Sequence, residues 1–136
     1  MGRLTASTLP IVLLMAAMPL FAHHGTPISY ESSTLITSKG TVTEFEYKNP
    51  HVRIFFDTKD DQGHVTHWSG EMANPAQYAR AGWGKKRTED ELKPGTVITI
   101  SYWISKAEEK LPPNVGAALI VRIRNSSGEQ VLLDRR

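Results

Sequence analysis

The chain has 136 residues, 16 basic and 14 acidic, for a formal net charge of +2, which is room for one ordinary domain. So even a balance argues against a dedicated nucleic-acid binder, which needs a concentrated basic face. The sequence contains no cysteine, which excludes disulfides, a thiol nucleophile and a thiolate metal site.

Residues 1–22 carry Arg3, an apolar run from Leu9 to Met18, and then Pro19-Leu20-Phe21-Ala22. A basic start, a short apolar stretch and a small final residue describe a secretory signal peptide. The run is short for a membrane span, and an uncleaved anchor is the alternative. A cut after Ala22 removes 22 of 136 residues and leaves 114. Its one basic residue goes with it, so the net charge falls from +2 to +1. The expected location is periplasmic or secreted, with membrane contact only through the leader before cleavage. Without disulfides, an exported chain must rely on its core, which suits a compact β domain.

His23 to Ser38 (HHGTPISYESSTLITS) is polar and irregular, and is expected to form an N-terminal arm over residues 23–38 that lies across the domain, pinned by Tyr30 and Leu35. The domain itself then covers residues 39–136. Lys39 to Tyr47 is the first expected strand; Val42 and Phe45 cannot share a face in a regular strand, so a bulge is expected between them. In His51 to Asp57, Val52, Ile54 and Phe56 alternate with His51, Arg53 and Asp57, the period of a strand with one buried face. Phe55 breaks the alternation, so both faces are partly apolar there. Asp60-Asp61-Gln62-Gly63 is turn chemistry, and Val65 to Glu71 completes the hairpin, with Trp68 inward and His67 outward.

Asn74-Pro75 opens a short helix to Ala81, Asn74 as N-cap and Pro75 at the first helical position, with Gly82 ending it. Pro94-Gly95 fits the centre of a type II turn. Thr96 to Ile104 and Gly116 to Arg124 are the fourth and fifth strands, separated by an exposed loop. In the fifth, alternation turns Ala117, Leu119, Val121 and Ile123 inward. Gln130 to Leu133 is a short last strand. Three strands, a helix, then two strands is the order of an OB-fold. The expected class is all-β with one short helix, a small OB-fold-like five-stranded barrel. Val52, Ile54, Ile100, Leu119 and Val121 should be among its most buried side chains.

The leader before His23-His24-Gly25, the Gly40-Thr41-Val42 strand, Asn49-Pro50-His51, Trp68 with Glu71, Gly82-Trp83 and Leu92-Lys93-Pro94-Gly95 resemble, in order and spacing, a bacterial exported family known as domain of unknown function 6152. The resemblance covers most of the chain after the leader. It implies a small periplasmic or secreted β domain and carries no activity with it.

Chemistry therefore has to come from the histidines. If cleavage frees His23, its amine and imidazole can chelate one metal ion, and a third nitrogen would complete a tetragonal set suited to Cu(II). His51, beside the Asn49-Pro50 corner, is the first candidate for that nitrogen, with His67 next. His24 offers another route, because a histidine in second position can bind copper through the amine, the intervening amide and its own ring. The competing reading is a solvated His-His arm, with His51 capping its turn. Glu71 is expected to pair with Arg53, and Met72 to fill the core. Tyr47, Phe55 and Trp103 offer a stacking platform.

Neither a Gly-x-Ser-x-Gly elbow nor a phosphate-cradling glycine loop is present. The expected function is therefore binding rather than catalysis. The first reading is a copper-binding protein using His23, His24, His51 and His67. The second is an interaction module holding a peptide, glycan or partner protein on the barrel face. An oxidative copper enzyme ranks behind both.

Overall fold

The computed structural model describes residues 30–106 and 111–132. The expected leader and the first part of the arm lie outside the described residues. Those described form six strands and two helices. In chain order they are β1 (Tyr30–Glu46), β2 (Arg53–Lys59), β3 (Val65–Glu71), α1 (Pro75–Arg80), α2 (Lys85–Glu91), β4 (Val97–Ser105), β5 (Val115–Arg124) and β6 (Gln130–Val131). The strand order is β3-β2-β1-β4-β5-β6, and β3 also pairs with β5. That last pairing closes five strands into a small barrel. The all-β, OB-like class expected from the sequence is the one observed.

Closure depends on a parallel seam in which Trp68 pairs with Gly116 and Gly70 with Ala118. The glycines are there for close approach. A Cβ on Gly116 would collide with Cε3 and Cζ3 of the Trp68 ring, and one on Gly70 would lie 2.6 Å from Ile120 Cδ1. Trp68 fills the space so left, 8% exposed. Its indole N–H donates to Thr58 Oγ1 at 2.9 Å, and its ring lies 4.8 Å from that of Tyr102. Around it pack Val42, Val52, Ile54, Phe56, Ile98 and Ile100, all buried. Burial of each such aliphatic or aromatic side chain is worth roughly 1.5–3 kcal/mol.

The bulge predicted in the first strand is present: the β1–β2 register slips between Val42 and Glu44. The slip lets Val42 enter the core while Phe45 packs at its edge. Asn74 caps α1 as expected, its side chain accepting from the Gln77 N–H at 2.9 Å, with Pro75 starting the helix. Gly95 takes φ of +89°, and the Thr96 N–H reaches the Lys93 carbonyl at 3.1 Å, closing the predicted type II turn. Replacing Asn74 by alanine is expected to cost about 1 kcal/mol, and by glycine only a few tenths. Urea midpoints of the two variants would check the ranking. No loss in either would mean that the cap bond contributes nothing.

Three expectations need correction. Residues 30–38 are not an irregular arm but the first half of β1, paired with β4 from Tyr30–Ser105 to Thr41–Val97 and interrupted by a shift between Glu31 and Ile36. That irregularity, and the polarity of a half-covered strand, hid the strand from a burial pattern. A second helix, α2, follows the first. Its sequence KKRTEDE has no apolar stripe, but it is built from good helix formers and laced by Lys85–Glu89 and Lys86–Asp90 pairs. Thr88 supplies its buried face. Finally, Val121 is only half-buried. The β4–β5 register shifts between Ser101 and Tyr102, so the inward phase passes from Ala118 and Ile120 to Ile123. Leu119, Val52, Ile54 and Ile100 are fully buried as expected.

Candidate functional site

Three side chains from separate parts of the chain meet at one end of β3. Glu71 is its last residue, His51 lies in the corner before β2, and Tyr30 opens β1. The β2–β3 register sets Arg53 against Glu71, which makes His51, two residues earlier, a diagonal neighbour of that carboxylate. His51 Nδ1 lies 2.5 Å from Glu71 Oε1, and the Tyr30 hydroxyl donates to Glu71 Oε2 at 3.0 Å. Both the His51 and Glu71 side chains are 35% exposed, sheltered enough to be oriented yet open to a ligand.

Glu71 therefore does not serve Arg53, as the sequence had suggested. Arg53 is drawn the other way, donating to Ser69 Oγ at 3.0 Å, lying 3.7 Å from Glu46 and stacking 4.7 Å over the Phe55 ring. Nor does His51 cap its own turn through a backbone carbonyl. The imagined platform is dispersed as well: Phe55 sits under Arg53, and the Tyr47 hydroxyl lies 2.9 Å from the carbonyls of both Pro75 and Trp83. Tyr47 is thus a strut for α1, and its burial raises the phenol above its usual pKa. Met72 is a buried core residue, as expected.

The other described histidines also pair with carboxylates. His67 faces outward beside the buried Trp68, its Nδ1 2.7 Å from Asp57 Oδ1. His64 Nδ1 lies 3.0 Å from Asp60 Oδ2 in the β2–β3 turn. Asp60 also accepts from the backbone N–H groups of His64 and Gln62. These bonds, the His64 backbone one foremost, hold its carboxyl below the usual carboxylate range. His67 and Glu71 share the outer face of β3 but are four residues apart, about 13 Å at strand rise. His51 and His67 are therefore not brought together. Among the described residues no three His, Asp or Glu side chains cluster closely enough to hold a metal ion. His23 and His24 lie outside the described residues.

Of the two residues expected to pin the arm, Tyr30 does so through Glu71, a partner that only the topology supplies, whereas Leu35 is exposed. Among the described residues no helix is long and apolar enough to cross a membrane. Compared with curated proteins, the sequence finds no match. Residues 11–111 match the model of a family described as a family of unknown function, DUF6152, and the chain belongs to that family.

Proposed function

We propose that the protein is an exported small β-barrel that binds copper, with the amine and imidazole of a free His23 as two ligands and His51 as the ligand from the barrel. The observation that carries this reading is the His51–Glu71 pair. A metal-binding histidine characteristically gives its second ring nitrogen to a carboxylate, which fixes the ring and raises its basicity. With Nδ1 held by Glu71, Nε2 is the nitrogen left for a metal. Tyr30 adds a second support: its bond to the same carboxylate anchors the chain seven residues after His23. Seven residues span at most about 25 Å, so the chain length allows His23 to reach His51. His67, oriented by Asp57 in the same manner, is the second candidate for the third nitrogen.

The test is Cu(II) titration, with electron paramagnetic resonance, of protein beginning at His23. A synthetic peptide of residues 23–29 serves as the reference for an arm acting alone. His51→Ala should weaken binding by more than the roughly 10–100-fold typical of losing an outer-shell partner and remove one nitrogen from the spectrum, while His67→Ala should stay near wild type. If His51→Ala changes neither affinity nor spectrum, the barrel takes no part through that residue. If the wild type binds no better than the peptide, copper is held by the His23-His24 arm alone. If it binds none, an interaction module holding a peptide, glycan or protein partner replaces the copper reading.

A further inference from the structure

We propose that Glu71 is a positioning residue, one carboxylate that sets the tautomer of His51 and couples it, through Tyr30, to the seating of the first residues of β1. The coupling is independent of what His51 binds; only its consequence for copper rests on the reading above.

Glu71 receives two groups on its two oxygens, His51 Nδ1 at 2.5 Å and the Tyr30 hydroxyl at 3.0 Å. An ionised carboxylate only accepts hydrogen bonds. The ring nitrogen facing it must therefore carry the proton, which leaves the lone pair of the neutral ring on Nε2. Arg53, the cross-strand neighbour of Glu71, does not compete, because Ser69, Glu46 and Phe55 engage its guanidinium. On the other side of the carboxylate, Tyr30 begins β1. Only Tyr30–Ser105 and Glu31–Ile104 pair there before the register breaks as far as Ile36. So short a run of backbone pairing depends on its side-chain anchor. Loss of either arm of the bridge should be felt at the other, since energetic coupling is reciprocal.

The experiment uses metal-free protein beginning at His23 at about pH 8. Nitrogen-15 NMR reads the His51 tautomer, and amide hydrogen exchange reads residues 30–36. Wild type should hold His51 as the Nδ1–H tautomer. Glu71→Ala should return it to the Nε2–H form that free histidine side chains favour, and Tyr30→Phe should shift it part of the way. His51→Ala should speed exchange over residues 30–36 by up to about fivefold, the ceiling set by one net hydrogen bond. Glu71→Gln, close to the native shape, keeps the test available if Glu71→Ala does not fold; it should raise the Nε2–H fraction and speed the same exchange.

An Nδ1–H tautomer that persists in whichever Glu71 variant folds overturns the assignment. Unchanged His51 signals in Tyr30→Phe, or unchanged exchange in His51→Ala, overturn the coupling. Full tautomer and exchange effects in a protein that fails to bind copper would support this inference and remove the copper reading alone.

Discussion

Trp68→Ala should remove about 3–5 kcal/mol of folding stability, the usual cost of truncating a buried aromatic residue. For a domain whose total is only about 5–15 kcal/mol, that is enough to leave a substantial fraction unfolded at physiological temperature. The size follows from position. Trp68 sits where β3 meets β5, stacks near Phe56 and Tyr102, and gives its N–H to Thr58. Removing it opens a cavity at the closure of the barrel and leaves Gly116 facing empty space. Gly116→Ala in the wild type should cost about 1–3 kcal/mol through overpacking, because the new methyl meets the indole ring. In the Trp68→Ala background the same methyl enters the cavity, so its cost should fall below that in the wild type. The cycle should show coupling of at least about 1 kcal/mol. Urea unfolding followed by far-ultraviolet circular dichroism measures all four proteins. Additive losses would mean that Trp68 and Gly116 do not form one packing unit.

The sequence made the barrel legible wherever burial and turn chemistry agreed. Val52, Ile54 and Phe56 kept one inward phase despite the apolar Phe55 between them, Asp60 to Gly63 and Pro94-Gly95 marked reversals, and Asn74-Pro75 marked a helix start. Each is a local rule with one physical outcome. Legibility failed where two partners had to be known together. The first half of β1 is mostly polar in sequence and its pairing with β4 shifts between Glu31 and Ile36, so no alternation announces it, although Ile36 packs against the core. The α2 helix is stabilised by charge pairs and one buried threonine, so no hydrophobic period announces it. Val121 was misplaced because the slip that displaces it arises in its pairing with β4.

The candidate site shows the same division. That His51 lies at a strand corner was readable from Asn49-Pro50. That Glu71 would turn to His51 was not, because the hairpin register names Arg53 as its direct neighbour. Choosing between them requires knowing that Ser69 and the Phe55 ring draw the arginine away, toward the side where Glu46 lies 3.7 Å from it. Once that is known, the diagonal position of His51 makes the pairing reasonable. Tyr30 needed the topology as well, since only the full run of β1 brings position 30 back to the end of β3.

Acetylating the α-amine of protein that begins at His23 should weaken Cu(II) binding by more than about 100-fold. That exceeds the 10–100-fold typical of losing an outer-shell partner, because on the proposed reading the amine is itself a ligand. Acetylation converts it into an amide, a far poorer donor, without changing a side chain. The modification leaves every side chain of the barrel unchanged, so the unfolding midpoint of metal-free protein should not move. Adding a residue would be a weaker probe, since it supplies a new amine ahead of two histidines and can create another chelate. His24→Ala separates the remaining possibilities. If His23 and His51 are the ligands, this variant should stay within a few-fold of wild type. If instead copper sits on the amine, the intervening amide and the His24 ring, His24→Ala should abolish tight binding while His51→Ala leaves it intact. Unchanged affinity after acetylation would show that the terminal amine is not a ligand, and the proposed copper site would have to be given up.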